Sequence, residues 1–460
     1  MLRTVNVAPT LWESILPSAV LGMPAELERV DRLLDDPRFF EPFRAYFHAT
    51  LGRPSVPIET YLRLMFLKYR YKLGFEPLCR EVADSISWQR FCRISLGGVT
   101  PHPTTLMKIT TRCGAGAIDA LNDALLVKAA EAKVLKTNRV RADTTVVEAN
   151  VAYPVDSSLL AKGVARVAKL ARRAQAQGLA VRTPVRDRTR SVYRRARDVV
   201  NTLRQRGDDR RARVWRLNTE LAAIARASVR DARRVIRNAR RQLRRLGGAG
   251  TGRQRAIVED LAVLADRLER VAVQTRERVV DGVTPAGATR IVSLHDPDAR
   301  PISKGRLGRP VEFGYKAQIV DNEDGVIVDH NIEIGNPPDA PMLVPAIERI
   351  SRRAGHVPDV VTADRGYGEA SIEEALRTRG VRHVVLPRKG RPNAARREIE
   401  HRQAFKKQVK WRTGCEGRIS CAKRDFGLAR TRQDNINGAR TWCGHGIFAH
   451  NLVKIAGLIP

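Results

Sequence analysis

Cysteine and long apolar runs are both scarce in this 460-residue chain. Six cysteines occur at positions 79, 92, 113, 415, 421 and 443, and none forms a Cys-x-x-Cys pair. This spacing excludes a disulfide-stapled scaffold and predicts reduced thiols. A zinc site of Cys415, Cys421, Cys443 and His445 is an alternative, but its spacing matches no common zinc module.

No apolar stretch is long enough to span a bilayer. The most apolar segment near the start, residues 12–23, is interrupted by Glu13 and Pro17, and it has no basic leader region or cleavage pattern. We therefore expect a soluble, untargeted protein without a membrane partner.

Acidic residues are few relative to basic ones. The chain has 83 Lys and Arg against 49 Asp and Glu, a net charge of +34. Such a surplus repels itself unless a polyanion neutralises it, and nucleic acid is the usual polyanion. A ribosome-bound or membrane-surface protein would share this feature, so the charge indicates a class of partner and no chemistry.

Residues 1–130 are predicted to form an all-helical N-terminal domain. Within residues 57–96, apolar side chains recur at helical spacing and continue past a break at residues 74–77. Thr104 is predicted to cap the next helix. DNA binding and a scaffold or dimerisation role are equally compatible with these residues.

Residues 131–160 contain the predicted first strand of an α/β core, at 138–151, where Val and Thr are frequent. Residues 161–290 follow as an Arg-rich helical insertion with 34 Lys and Arg against 12 Asp and Glu. Two apolar stripes separated by a glycine-rich break at 247–252 predict an antiparallel helical hairpin. They comprise Leu217, Leu221, Ile224, Ala232, Val235, Ala239, Leu243 and Leu246, then Ile257, Leu261, Leu264, Leu268 and Val271.

Residues 291–460 are predicted to complete the α/β core and to end in helices. The pattern indicates strands at 313–320 and 325–334 joined by a turn, then a helix at 341–353. A strand at 359–364, a helix at 369–379 and a strand at 381–387 follow. Strands followed by alternating helices and strands predict a mixed sheet.

Three acidic residues occupy positions where such a core displays catalytic groups. Asp143 lies in the first strand, and Asp364 ends an apolar strand, where parallel-sheet folds gather ligands. Glu416 lies in a predicted helix whose Arg412 and Lys423 share its face. Taken singly, each has a structural alternative: a capping or solvated Asp, or a Glu in surface ion pairs.

Several segments resemble insertion-sequence transposases of the DDE class. The N-terminal region is similar through GRPSVP, LRLMFLKYRYKLG, DSISWQRFCRISL and HPTTL, and the core through SLHDPDARPISKGRLGRPVEFGYKAQIV, TADRGYG and FAHNLVKIA. Arg412, Glu416 and Lys423 match the R-x3-E-x6-K part of the family's glutamate-helix signature. The tyrosine that normally opens that signature is Val409 here.

The resemblance implies an RNase H-like fold with adjacent first and fourth strands, interrupted by the Arg-rich insertion. It implies that Asp143, Asp364 and Glu416 hold two Mg²⁺ or Mn²⁺ ions for cleavage at terminal inverted repeats and transfer to target DNA. Arg412 and Lys423 would contact DNA. It also implies a homodimer assembled on double-stranded DNA in the bacterial cytoplasm, at the nucleoid.

The insertion carries a second hypothesis, which depends less on the resemblance. Seven arginines are expected outside the hairpin seam, while Asp and Glu are absent from residues 232–250. Because the arginines repel one another with no nearby acidic residue in the sequence, we expect this face to bind the DNA backbone and not to serve solubility alone. The residues are Arg233, Arg234, Arg237, Arg240, Arg241, Arg244 and Arg245.

Three other functions compete with active transposition. A catalytically inactive, domesticated transposase would bind DNA without cutting, and an RNA- or ribosome-binding structural protein would need only the charge. A plain metal-dependent nuclease would cut without joining ends to a target.

Overall fold

The computed structural model describes residues 1–3, 15–206, 208–246, 251–279, 281–304, 308 and 310–459. The chain divides into two compact units. Unit 1 comprises Met1–Ala149, Tyr315–Glu333 and Pro337–Pro460, and unit 2 comprises Asn150–Gly314 and Ile334–Asn336. Within the described ranges, no helix has the length and apolarity needed to cross a membrane.

The N-terminal part of unit 1 is helical, as predicted. Almost all side chains of its central helix, α4, are buried, and most of them are aliphatic or aromatic. The helices are α1 (Ser18–Leu21), α2 (Ala25–Leu34), α3 (Glu41–Arg44), α4 (Ile58–Arg70), α5 (Phe75–Asp84), α6 (Ile86–Phe91) and α7 (Pro103–Glu131), with a 3₁₀ turn at Pro37–Phe39.

The start of α7 corrects one prediction. Thr104 is not the N-cap, because the helix begins at Pro103, whose fixed φ and missing N–H suit the first helical position. His102 is the capping residue, and its Nδ1 accepts a hydrogen bond from the Thr104 backbone N–H at 3.3 Å.

A mixed six-stranded sheet provides the α/β core. Its strands are β1 (Arg139–Glu148), β2 (Arg300–Ser303), β3 (Val311–Asn322), β4 (Ile327–Ile334), β5 (Val360–Ala363) and β6 (His383–Val385). The order is β2-β3-β1-β5-β6, and β4 pairs with β3. β1 is parallel to β5 and β5 to β6, whereas β2 is antiparallel to the first residues of β3. The predicted strands and the mixed sheet are confirmed.

Helices in the remainder of unit 1 cover and extend this sheet. They are α12 (Ala340–Ala354), α13 (Ala370–Thr378), α14 (Ala394–His401), α15 (Gln403–Asp425) and α16 (Asn435–Ala456), with a 3₁₀ turn at Arg365–Tyr367. The α15 helix packs on β1 and β5, and α16 packs against α4 and α7. The C-terminal helices therefore tie the N-terminal bundle to the sheet within one unit.

Unit 2 is built around four helices and has its own apolar core. They are α8 (Asp156–Ala176), α9 (Thr189–Arg204), α10 (Arg210–Arg245) and α11 (Gly252–Val279). Three ion pairs join α10 to α11: Arg226–Glu269, Arg233–Asp266 and Arg240–Glu259. The residue number rises along α10 while that of its partner on α11 falls, so the two helices are antiparallel.

The predicted pair of helices is thus confirmed, while residues 247–250 of the predicted break lie outside the described residues. Both stripes lie in or beside the core except at Leu246, which is 55% exposed because it follows the last residue of α10. The pattern did not single out α8 and α9, which pack against the hairpin and complete its core.

Candidate active site

The two candidate aspartates are neighbours in the sheet. Ala142 of β1 is in register with Ala363, the last residue of β5, so Asp143 within β1 and Asp364 directly after β5 lie at the same level of two adjacent parallel strands. Neighbouring strands lie about 4.8 Å apart, and residues in parallel register point to the same face. A separation of more than two hundred residues in the chain is thereby reduced to one strand spacing.

Burial and mutual repulsion disfavour the charged forms of both carboxyl groups. Burial is the main cause that raises the pKa of Asp143 to about 6, and the charges of Asp364 and Glu416 raise it further. The pKa of Asp364 is also raised, chiefly by burial and then by the charge of Asp339. A cation placed among these groups would relieve the repulsion and restore ionisation.

Arg412 joins Asp143 to Glu416. Its Nη1 lies 3.1 Å from Asp143 Oδ2, and its Nη2 lies 2.9 Å from Glu416 Oε1. Because the terminal nitrogens of a guanidinium are close together, the two bound oxygens lie within about 8 Å of one another. Glu416 is 59% exposed, whereas Asp143 is 13% exposed. The helix therefore presents one open carboxylate beside two partly buried ones.

Arg141 connects α15, the helix that contains Glu416, to the sheet. From β1, its guanidinium binds Asp321 of β3 through two hydrogen bonds of 2.8 Å and donates to the Trp411 carbonyl, also at 2.8 Å. A Cβ on Gly414 would lie 2.2 Å from Arg141 Nη1, so the close approach of α15 requires glycine there. One buried arginine thus fixes where Arg412 and Glu416 stand over β1 and β5.

The sequence did not single out Asp339 as part of this site. Asp339 immediately precedes α12, which is the position of a helix cap, yet its side chain makes no capping hydrogen bond. One carboxylate oxygen instead lies 2.5 Å from Nζ of the buried Lys316. The sequence shows only an aspartate just before a helix, and such an aspartate is usually interpreted as a helix cap.

Gly366 separates Asp339 from Asp364. A Cβ built on Gly366 would lie 2.7 Å from Asp339 Oδ2 and 3.0 Å from Asp364 Oδ1. Its backbone N–H donates to Asp364 Oδ1 at 2.9 Å. The glycine therefore allows two carboxylates to converge on one point of the backbone, and its N–H orients one of them.

Lys423 is less closely associated with the carboxylates. It lies seven residues beyond Glu416 on α15, about two turns along the same face. It is half-buried, and its charge opposes the burial that raises the pKa of the Cys443 thiol to about 12. Val409, at the position of the family's tyrosine, is half-buried on the first part of α15.

The donor set fits a hard divalent cation, although the side chains are not arranged as ligands. Carboxylate oxygens are the ligands that Mg²⁺ prefers, and their crowding here favours a cation. Among the described residues, however, no three His, Cys, Asp or Glu side chains form a group that could hold one ion. Arg412 occupies the space between Asp143 and Glu416.

Two family models match the chain. The model of the transposase domain (DUF772) matches residues 18–112, and the model of the transposase DDE domain matches residues 288–452. Together they cover more than half of the sequence. This chain belongs to the DDE transposases. No curated protein and no solved structure matches it.

The matches distribute unevenly over the transposase. Residues 288–452 include Asp364, Glu416 and the signature cations, while Asp143 and all of α8–α11 lie between the two matched segments. The sheet register, rather than the family match, therefore links Asp143 to the other carboxylates.

The seven arginines of the transposase's α10 are exposed, as the hairpin predicted. Three of them have carboxylate partners that the local sequence did not reveal: Arg233 pairs with Asp266, Arg234 with Asp231, and Arg240 with Glu259. The expectation of unrelieved repulsion is wrong for these three, because the partners come from α11 and from one helical turn earlier. Within the described residues, the other four make no ion pair: Arg237, Arg241, Arg244 and Arg245.

Proposed function

We propose that this transposase cleaves DNA at the terminal inverted repeats of an insertion sequence and joins the ends to target DNA. The observation that carries the proposal is the parallel register that sets Asp143 beside Asp364, with Glu416 held over them by Arg412. Carboxylates from two strands and one helix, of which burial raises the pKa of Asp143 and Asp364, are suited to hold divalent cations next to a phosphodiester.

An RNase H-like core is part of this proposal. The strand order supports it: β1 is central, with β3 and then β4 on one side and β5 and then β6 on the other. The adjacent β1 and β5 carry the two aspartates, and α15 packs beside them. β5 is the fourth of the five predicted core strands, because the short β2 was not among them. This is the arrangement that the resemblance to insertion-sequence transposases implies.

Asp143, Asp364 and Glu416 would hold two Mg²⁺ or Mn²⁺ ions. When bound, such ions supply activation of the attacking water or 3′-hydroxyl and stabilisation of the leaving oxygen. Asp339 would help to orient Asp364, because the two carboxylates approach each other on either side of Gly366. Lys316 would hold Asp339 in place through its ion pair. Arg412 would exchange its carboxylate partners for a DNA phosphate, and Lys423 would bind a phosphate further along α15.

The charged face of α10 would bind DNA backbone without regard to sequence. Four arginines make no ion pair with any residue that the structure describes and can neutralise phosphates without exchanging a partner: Arg237, Arg241, Arg244 and Arg245. The three paired ones, Arg233, Arg234 and Arg240, must first exchange partners. Deleting α8–α11 together (residues 156–279), because the four helices share one apolar core, and joining the ends with a short linker should weaken binding to any duplex. The slope of log affinity against log salt should also become shallower by about 0.9 per lost contact.

We further propose a homodimer assembled on double-stranded DNA, acting at the bacterial nucleoid. Two ends of one element must be cut and joined together, which a pair of active sites on one DNA complex would accomplish. Mass measurement of the protein with and without a duplex that carries one element end tests the stoichiometry.

Cleavage and joining by purified protein test the central proposal. The substrate is a duplex ending in the inverted repeat found at the borders of the gene, incubated with Mg²⁺ or with EDTA. Asp364→Asn should reduce cleavage at least about a thousandfold, since a catalytic charge interaction is lost, while DNA binding stays near normal. Asp359→Asn is the matched control, because Asp359 directly precedes the same strand, is half-exposed, and lies at the opposite end of that strand from Asp364.

Each possible failure has its own meaning. Full cleavage by Asp364→Asn, or cleavage that persists in EDTA, would refute the carboxylate mechanism. Cleavage without joining of 3′-hydroxyl ends to a target plasmid would identify a nuclease instead of a transposing enzyme.

A further inference from the structure

A pocket far from the carboxylates lies among α4, α5, α7 and α16 in unit 1. Its volume is about 570 Å³. The start of α5, the middle of α7 and the segment from Arg432 to Trp442 line it, and Lys68 of α4 is one of its walls. Nothing in the proposed DNA chemistry uses this pocket.

Lys68 is an unusual lining residue because it is buried and no polar group of the described residues pairs with it. Only 3% of its surface is exposed. Its Nζ packs over three aromatic rings, 4.3 Å from the centroid of Trp442, 4.5 Å from that of Tyr69 and 4.8 Å from that of Phe75. In the part of the chain that the structure describes, this ammonium makes no hydrogen bond and no ion pair.

Aromatic faces compensate a buried ammonium only in part. A buried charge normally requires pairing and hydrogen bonds, and three N–H donors here have none. Burial, followed by repulsion from Arg432, lowers the pKa of Lys68 to about 7. A bound anion would therefore stabilise the charged form of Lys68 and give its N–H groups a partner.

Further groups around the pocket favour negative charge. Arg432 is exposed at its rim and makes no ion pair among the described residues. The first turn of α16, a helix of 22 residues, forms part of the wall, and its positive dipole end adds to the field. The lining also includes one acidic residue, Asp434, which already has an interaction of its own.

We propose that this pocket binds one phosphate group through Lys68 and Arg432. The phosphate would come from the DNA backbone when the transposase is bound to DNA, a source that rests on the proposed DNA-binding function. The volume leaves room for the sugar that carries the phosphate. The competing explanation is a packing role, in which the aromatic rings alone stabilise Lys68.

The first test measures binding of inorganic phosphate to the full-length protein. Melting temperatures of wild type, Lys68→Met and Lys108→Met are recorded with rising phosphate at constant ionic strength. Lys108 is the matched control, since it is exposed on α7. Phosphate should stabilise wild type and Lys108→Met alike, while Lys68→Met should bind it at least about tenfold more weakly, as expected for one lost charge-assisted hydrogen bond.

Stability without phosphate separates binding from packing. Lys68→Met should melt no lower than wild type, because an unpaired buried charge is replaced by an apolar chain of similar length. A lower melting temperature together with unchanged phosphate binding would establish the packing role and overturn the proposal. Arg432→Gln is a second variant at an exposed position, and it should also weaken phosphate binding.

A DNA arm identifies the source of the phosphate. For a duplex of arbitrary sequence, the slope of log affinity against log salt should be shallower by about 0.9 in Lys68→Met and in Arg432→Gln than in Lys108→Met. An unchanged slope with impaired inorganic phosphate binding would assign the pocket to a free phosphate compound. If neither measurement changes, the pocket binds no phosphate.

Both measurements are made without metal and require no cleavage. Failure of the carboxylate chemistry would leave their outcome intact, and failure of the pocket would leave the chemistry intact.

Discussion

The sheet site and the arginine face of α10 handle charge in opposite ways. In the sheet site, carboxylates from distant parts of the chain crowd together, and Arg412 and Lys316 neutralise them internally. On α10, seven cations from thirteen consecutive residues are spread over an exposed surface, and three of them have a carboxylate partner among the residues that the structure describes. Bringing buried carboxylates together costs free energy, and their effect is confined to one site. Exposed arginines cost little free energy, and each adds its own contribution to DNA binding.

This contrast indicates how each region should respond to substitution. The site depends on a few contacts that act together, so a single change should have a large effect. The arginine face depends on the number of free cations, so each change should have a small and equal effect. Four predictions, in order of expected size, test this difference.

The largest effect on stability is expected for Arg141→Met. It leaves the fully buried Asp321 without its bidentate partner, although Arg418 remains 3.7 Å away. The free energy of unfolding should fall by about 3 kcal/mol, the lower end for a broken buried ion pair. Urea unfolding measures it.

Arg139→Met is the control on the same strand. Arg139 also packs on the Trp411 ring, but its ion pair with Glu323 is partly exposed and 3.5 Å long. Its loss should cost less than about 1 kcal/mol. Equal losses for the two variants would show that Arg141 has no special role in seating α15.

A quartet of arginines tests additivity on α10. Changing Arg237, Arg241, Arg244 and Arg245 together to Gln should make the salt slope of DNA binding shallower by up to about 3.6, at about 0.9 for each phosphate contact. The paired quartet Arg226, Arg233, Arg234 and Arg240 is matched in number and in helix. It should change the slope less, because its carboxylate partners already neutralise it. A larger change in the paired quartet would mean that ion pairing does not decide which arginines bind DNA.

Gly366→Ala should impair the site without affecting DNA binding. The new Cβ would come within 3.0 Å of both Asp339 and Asp364, so the carboxylates must separate. We expect cleavage to slow by about ten- to a hundredfold, as small misplacements at reacting centres do.

Gly417→Ala is the matched change beside Glu416. A Cβ there meets no atom within 4 Å, and alanine favours the helix by about 0.5–1 kcal/mol. Cleavage by this variant should stay near wild type. Loss of activity in both variants would attribute the effect to glycine replacement near the site in general.

Lys423→Ala should have the smallest structural effect. Exposed or half-exposed cations contribute little stability, so the melting temperature should scarcely change while cleavage slows. Single-turnover cleavage and thermal melting are compared on the same preparation. A large loss of stability with normal activity would reverse the proposed role and assign Lys423 to packing near Cys443.

Local periodicity was sufficient for α10 and α11 of unit 2 and for most core strands, but not for α8 and α9. Leu221, Val235 and Leu243 recur at three- and four-residue steps, and a helix places such residues on one face wherever it packs. Periodicity did not predict where a helix ends: Leu246 continues the apolar stripe but lies one residue beyond α10. It also failed at Thr104, because α7 begins at Pro103 and its cap is His102, two residues before the predicted cap.

The sequence alone determined the family resemblance, the basic charge, the amphipathic helices and the three candidate carboxylates, because each depends on residue type or on spacing within one element. The tertiary structure decided which of those groups meet. Strand register sets Asp143 beside Asp364, and the contact of α15 with Arg141 brings Arg412 between Asp143 and Glu416. Packing buries Lys68 where none of the described residues offers it a polar partner. These are contacts between residues far apart in the chain, and spacing within an element carries no information about them.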